Sequence, residues 1–148
     1  MSGYFEIGVY YPKTAQNIGT LWRSAYQLNA AGIFTIGSRY KQQTSDTLKT
    51  PSNIPLRMYA NIDEFLACRP CEAQLVGIEM GGECLNSFSH PRQVIYLLGS
   101  EDNGLPPSVL KLCQHVVSIE AARTSSYNVA MAGTIVMYHR LMTQKGLK

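Results

Sequence analysis

The residues of this 148-residue chain best suited to chemistry lie in and around Gly99-Ser100-Glu101-Asp102-Asn103-Gly104. Two glycines bracket a polar, acidic segment that follows directly on the nearly all-apolar run Val94–Leu98. Where side chains are missing, backbone amides and carbonyls can approach a ligand closely. A phosphate cradle is excluded, because Gly104 leads into Leu105-Pro106 rather than into Lys-Ser/Thr, and no G-x-G-x-x-G follows the first strand. Arg23 is a second candidate. On a helix with 100° between residues it projects away from the apolar stripe of Ile18, Trp22 and Ala25, so it is free to serve a site or a partner. Asn17 suits a helix cap, as does Asn128, and Arg39-Tyr40-Lys41 pairs charge with a ring in the way RNA contacts often do. Cys68-x-x-Cys71 lacks the second pair a zinc site needs, and His90, His115 and His139 have no metal-ligand spacing, so no metal is expected. Taken singly, each of these residues has an ordinary structural explanation as a cap, turn former or solvated side chain.

The elements that must position these residues alternate between strand and helix. Tyr4–Tyr11 is rich in aromatic and β-branched residues and reads as a first strand closed at Pro12. From Asn17 the apolar residues Ile18, Leu21, Trp22, Ala25 and Leu28 give an amphipathic helix that Gly32 ends, followed by a strand over Ile33–Gly37. Arg39–Ile54 reads as a long surface excursion. Strands are predicted at Leu56–Tyr59, at Gln74–Glu79 before a Gly81-Gly82 turn, at Val94–Leu98 and at Val116–Ile119, with a short helix around Ile62, Phe65 and Leu66. A last helix over Ser126–Met142 is apolar on more than one face and is expected to be largely buried. The pattern is that of one α/β domain spanning 1–148, with a mostly parallel sheet flanked by helices. Ligands in such sheets bind beyond the carboxyl ends of the strands, which points to the loops after Tyr11, Leu98 and Ile119.

Three segments together resemble a known family. Asn17-Ile18-Gly19-Thr20-Leu21-Trp22-Arg23 is similar to the N-x-G-x-x-x-R first motif of the SpoU/TrmH branch of the SPOUT methyltransferases. Leu98-Gly99-Ser100-Glu101-Asp102-Asn103-Gly104-Leu105 resembles its second motif, L-G-x-E-x-x-G-[LI], and Ser126-Tyr127-Asn128-Val129-Ala130-Met131-Ala132 its third, S-L-N-V-S-x-A. The resemblance implies a C-terminal deep trefoil knot, against the general rarity of knots. It also implies S-adenosylmethionine as cofactor, with Leu98, Gly99, Glu101, Gly104, Ile119, Asn128 and Val129 around it. The implied reaction is methylation of a ribose 2′-hydroxyl of RNA, of transfer RNA first and the anticodon wobble position in particular, with ribosomal RNA next. Arg23, Asn17, Ser126 and Asn128 are the implied catalytic group. An arginine stays protonated, so electrostatic positioning suits Arg23 better than direct base action. Arg39 and Lys41 are expected on the RNA side, and Glu101 is expected to organise its loop or face an arginine of a dimer partner. The competing reading is an RNA-binding protein that keeps the scaffold without catalysis. Tyr127 in place of leucine, and Ser118-Ile119-Glu120-Ala121 in place of the usual I-P-M, depart from the pattern.

Bulk properties agree with a globular protein. Hydrophobic residues make up 45% and charged residues 16%, and the formal charge of +3 permits contact with a polyanion without demanding it. No run of about 18 apolar residues and no secretion signal is present, so a cytoplasmic protein with free thiols is expected. The family resemblance further implies a homodimer in which substrate recognition falls to the dimer surface and flanking loops.

Overall fold

The computed structural model describes residues 3–37, 54–123 and 126–146. Arg39, Lys41 and most of the predicted surface excursion lie outside the described residues. Six strands, β1 (Tyr4–Tyr10), β2 (Gly32–Ile36), β3 (Leu56–Tyr59), β4 (Gln74–Cys84), β5 (Gln93–Leu98) and β6 (His115–Ser118), form one sheet in the order β3-β2-β1-β5-β4-β6. Every neighbouring pair is parallel. All carboxyl ends therefore open on one side, and the chain reverses its direction of travel across the sheet between β1 and β5, the place where α/β sheets bind ligands.

Helices cover both faces, which is why the central strands read as continuous apolar runs. Helix α1 (Ala15–Gln27) lies against the face carrying Phe5, Ile7 and Val9 and buries Ile18, Leu21, Trp22 and Ala25 there. Helix α4 (Val129–Gly146) packs beside it on the same face. Helices α2 (Ile62–Cys68) and α3 (Pro107–Leu110) close the other face, where Phe34, Phe65, Leu75, Ile95, Leu97, Leu105 and Val109 form a second core. All of Val94–Leu98 is buried.

Three expectations need correction. The first helix begins at Ala15, so Asn17 lies inside its first turn rather than at its cap, and it ends at Gln27 with Asn29 in the left-handed region, leaving Gly32 to start β2. The Gly81-Gly82 pair does not end β4. Its pairing with β6 jumps from Ile78 to Glu83, both opposite Val117, so the glycines sit in a bulge and the strand resumes beyond it. The last helix starts at Val129 and is buried on one side only: Met131 and Tyr138 are more than half exposed. Two of the histidines are hydrogen-bonded inside the fold. His90 Nε2 lies 2.8 Å from His139 Nδ1, and His90 Nδ1 lies 2.6 Å from the Tyr96 hydroxyl.

That pair belongs to a polar cluster near the amino ends of β1 and β5. The buried Arg140 donates to the carbonyls of Pro91 and Arg92 and to the Tyr96 hydroxyl, and its guanidinium lies over the Phe5 ring. Burial, then the neighbouring His139 and Arg140, push the His90 imidazole down from 6.5 to about 3. Between those values the unfolded chain takes up a proton that native His90 refuses. The His90 contribution to stability is thus complete above pH 6.5 and is lost as pH falls toward 3. Thermal melts should show the midpoint dropping over that window, with a shallower drop in His90→Gln. Identical slopes would show that His90 does not carry the effect.

Candidate active site

The loop after β5 is folded tightly on itself. The Gly104 amide donates to the Ser100 carbonyl at 3.0 Å, and the Asn103 amide to Ser100 Oγ at 3.2 Å. A β-carbon on Gly99 would come within 2.3 Å of the Gly104 carbonyl carbon, so only glycine lets the two ends of the loop meet. Gly104 has φ +63° and lies against the Glu79 carboxylate, which accepts the Leu105 amide at 2.7 Å and the Met80 amide at 3.0 Å. The bulge of β4 is thereby fastened to the loop after β5.

Glu101 fastens the same loop to the entry of α1. Its carboxylate accepts the Lys13 amide at 3.1 Å, the Thr14 amide at 3.3 Å, Thr14 Oγ1 at 2.6 Å and Asn17 Nδ2 at 2.9 Å. The first turn of α1 contains no acid of its own, so Glu101 supplies the negative charge a helix amino terminus favours. Partial burial would raise this carboxyl, but the donors from Thr14, Asn17 and the backbone bring it down to about 2. Lys13 Nζ pairs with Asp102 beside it.

The third motif joins through Asn128. Its Nδ2 donates to Asn17 Oδ1 at 3.1 Å, while its Oδ1 accepts the amides of Ala130 at 2.9 Å and Met131 at 3.1 Å and so caps α4. One hydrogen-bonded line, Glu101–Asn17–Asn128, thus ties together segments 84 and 111 residues apart in sequence.

Behind this line lies a cavity of about 570 Å³, at the bulge of β4 and beyond the carboxyl ends of β5 and β6. Leu98, Gly99, Glu101, Gly104, Ile119, Ser126 and Val129 line it. Asn17 and Asn128 are not in its wall but hold Glu101, which is. Arg23 does not line it either: it is exposed on α1 and makes no hydrogen bond or ion pair among the described residues. The departures in the third segment are linked to each other. The Tyr127 hydroxyl donates to the Glu120 carbonyl at 2.6 Å, and the Glu120 carboxylate accepts the Asn86 amide at 3.0 Å, which anchors the loop over the cavity. Sequence reasoning missed the β4 contribution of Ile78, Glu79, Met80 and Gly81. The signal was the glycine pair inside a strand, which marks a bulge as readily as a turn. Cys68 and Cys71 are exposed and unpaired, and no group of three or more metal-ligating side chains occurs among the described residues.

An all-parallel α/β sheet with a cavity walled by the bulge of β4, the loops after β5 and β6 and the start of α4 defines a ligand-binding α/β domain. The chain matches the model of the SpoU rRNA Methylase family over residues 5–138 and belongs to that family. A curated relative, the 23S rRNA (uridine(2479)-2'-O)-methyltransferase of Streptomyces viridochromogenes, is 27% identical over 140 residues, covering 86% of this chain and 48% of the relative. The chain thus spans about half the length of that protein. Among solved structures, the SpoU methyltransferase AviRb from the same organism is 25% identical with a TM-score of 0.88, covering 100% of this chain and 62% of AviRb. AviRb has also been solved in complex with the cofactor AdoMet. A structure concerned with the 2-OH methylation of C/U34 on tRNA has 22% identity and a TM-score of 0.86, and covers 97% of this chain and 98% of its own.

Proposed function

We propose that this protein is an S-adenosylmethionine-dependent RNA methyltransferase acting on a ribose 2′-hydroxyl. The observation that carries the reading is the Glu101–Asn17–Asn128 line, which brings the three family motifs to the rim of one cavity. The cavity fits the cofactor in size, since sites for ligands of this kind are roughly 300–1,000 Å³. It also fits in charge: Glu79, Glu101, Asp102 and Glu120 line it against a single arginine, Arg123, which suits a cationic sulfonium compound and repels a nucleotide phosphate. Bound S-adenosylmethionine supplies an activated methyl group. Leu98, Gly99, Gly104, Ile119 and Val129 would hold it, while Glu101 keeps the loop closed. Ser126 would place a short polar group in the cavity, while Asn128 would act by holding Asn17 and the start of α4.

A ribose hydroxyl attacks well only as its proton leaves, and a nearby cation stabilises the developing oxyanion. Arg23 has that role in this reading. Because Arg23 is absent from the wall of its own cavity, it serves the cavity of a second copy, and the homodimer is part of the proposal. Met131, Tyr138 and Met142 on α4, exposed in the single chain, supply a face for it. The C-terminal deep trefoil knot belongs to the same reading, supported by the return from β6 at the sheet edge to α4 beside α1. Transfer RNA is the proposed substrate class ahead of ribosomal RNA, supported by the likeness in fold to the neighbour concerned with C/U34 on tRNA. A cytoplasmic site fits four free cysteines.

Calorimetric titration with S-adenosylmethionine, followed by label transfer from methyl-labelled cofactor to total transfer RNA and ribosomal RNA, tests the reading. Folded protein that binds no cofactor would overturn it. One finer result is expected within it. Tyr127→Phe removes a single hydrogen bond from the anchored loop and should weaken cofactor binding about two- to tenfold, the value of one such bond of ~0.5–1.5 kcal/mol. An unchanged Kd would show that the Tyr127–Glu120 contact does not shape the cavity.

A further inference from the structure

Resting on the RNA reading above, we infer that Tyr11 is a stacking platform for a nucleobase flanking the methylated nucleotide, a role that no family motif assigns to it. Tyr11 follows β1 at the carboxyl end of the sheet, the end where the cavity opens. Its backbone has φ +51°, a region aromatic residues rarely enter. It is held there on both sides. The Tyr11 amide donates to the Ile36 carbonyl at 2.7 Å, and the ring lies so close on Gly37 that a β-carbon there would fall 2.3 Å from a ring atom. Tyr10 meets the ring edge-on, with centroids 4.7 Å apart.

A ring fixed in this way would ordinarily be core, yet Tyr11 remains 46% exposed. The unusual backbone thus holds an aromatic surface open to solvent, and solvent exposure of a rigid ring is what base stacking uses, because little side-chain freedom is lost when the base arrives. Its position is also suitable. Lys13 and Thr14, two and three residues on, donate to Glu101 in the cavity wall, so the ring and the cavity share one rim. The Gly37 side of the ring puts it about two strand spacings, ~10 Å, from the end of β5. A base one or two nucleotides from the target ribose reaches that far, and single-stranded RNA presents such unstacked bases. Tyr11 is absent from the cavity wall, so the cofactor's own adenine is not its ligand.

Two variants test the inference with the full chain. Tyr11→Asn tolerates the left-handed backbone but removes the ring; Tyr11→Phe keeps the ring and removes the hydroxyl. In methyl transfer to total transfer RNA and ribosomal RNA, Tyr11→Asn should raise KM for RNA about tenfold to a hundredfold, as loss of one stacked base does, with S-adenosylmethionine Kd and melting temperature held. Tyr11→Phe should stay near wild type. Binding a 2-aminopurine-containing oligoribonucleotide should quench its fluorescence with wild type and Tyr11→Phe but not with Tyr11→Asn, a signature that a purely structural tyrosine would not produce. If wild type is active and Tyr11→Asn has an unchanged KM, or if Tyr11→Phe fails as badly as Tyr11→Asn, the stacking role is overturned while the methyltransferase reading stands. If wild type binds cofactor but transfers methyl to neither RNA, both fall together.

Discussion

Arg23→Ala is expected to bind S-adenosylmethionine as tightly as wild type and to transfer methyl to RNA about 100-fold or more slowly, the scale on which loss of one transition-state charge partner is felt. The separation of the two effects follows from the geometry. Arg23 is exposed, lies outside the wall of the cavity and makes no hydrogen bond among the described residues, so its removal touches neither the cofactor site nor the fold. Exposed substitutions of that kind change stability by about 0.5 kcal/mol or less. The same geometry gives a stronger test. If each Arg23 serves the cavity of the other copy, mixing Arg23→Ala with a Gly99→Ala chain, at a cofactor concentration that saturates only the wild-type cavity, should recover activity, because the mixed dimer holds one intact site. Recovery absent under conditions where subunits exchange would place Arg23 in its own chain's site or outside the reaction. Lysine at position 23 keeps the charge but not the planar fork, so partial rescue would mark electrostatics and no rescue would mark bidentate contact.

Much of this arrangement was legible in the chain, and the misses have a common physical origin. The buried face of α1 could be read from the spacing of Ile18, Leu21, Trp22 and Ala25, and β5 from its unbroken apolar run. The start of α1 could not, because the group that organises Thr14 and the first turn is Glu101, 87 residues away. Asn17 therefore looked like a local cap when its side chain works across the fold, toward Glu101 and Asn128. His90 and His139 showed no ligand spacing for the same reason: they meet only because α4 returns past the start of β5. The Gly81-Gly82 pair was ambiguous, since glycine serves turn and bulge equally, and only the pairing of Glu83 and Cys84 with β6 decides between them. Helix α4 was misread through composition. An apolar surface on several sides implies burial, but it does not say by what, and Met131, Tyr138 and Met142 are left open in the single chain.

Gly99→Ala should weaken cofactor binding by about tenfold to a hundredfold, the equivalent of ~1–3 kcal/mol of overpacking, while the protein remains folded. The new methyl group would meet the Gly104 carbonyl carbon at 2.3 Å, its Cα at 2.6 Å and the Leu105 nitrogen at 2.6 Å, all of them backbone atoms that no side-chain rotation can clear. Relief requires the loop to open, and opening it pulls the Leu105 amide from Glu79 and the Gly104 amide from the Ser100 carbonyl. The main-chain surface that would hold the cofactor is then rearranged. Gly104→Ala is the control with the opposite mechanism. Its methyl group meets the far end of the Glu79 side chain, which can swing away without opening the loop but gives up the Leu105 amide, and the left-handed backbone adds about 1–2 kcal/mol for an L-residue. Cofactor affinity should therefore fall further in Gly99→Ala than in Gly104→Ala, measured by the same calorimetric titration with a thermal melt confirming that each variant is folded. A Gly99→Ala protein that binds S-adenosylmethionine like wild type would mean that the closure of this loop is incidental and that the cofactor is held by other walls of the cavity.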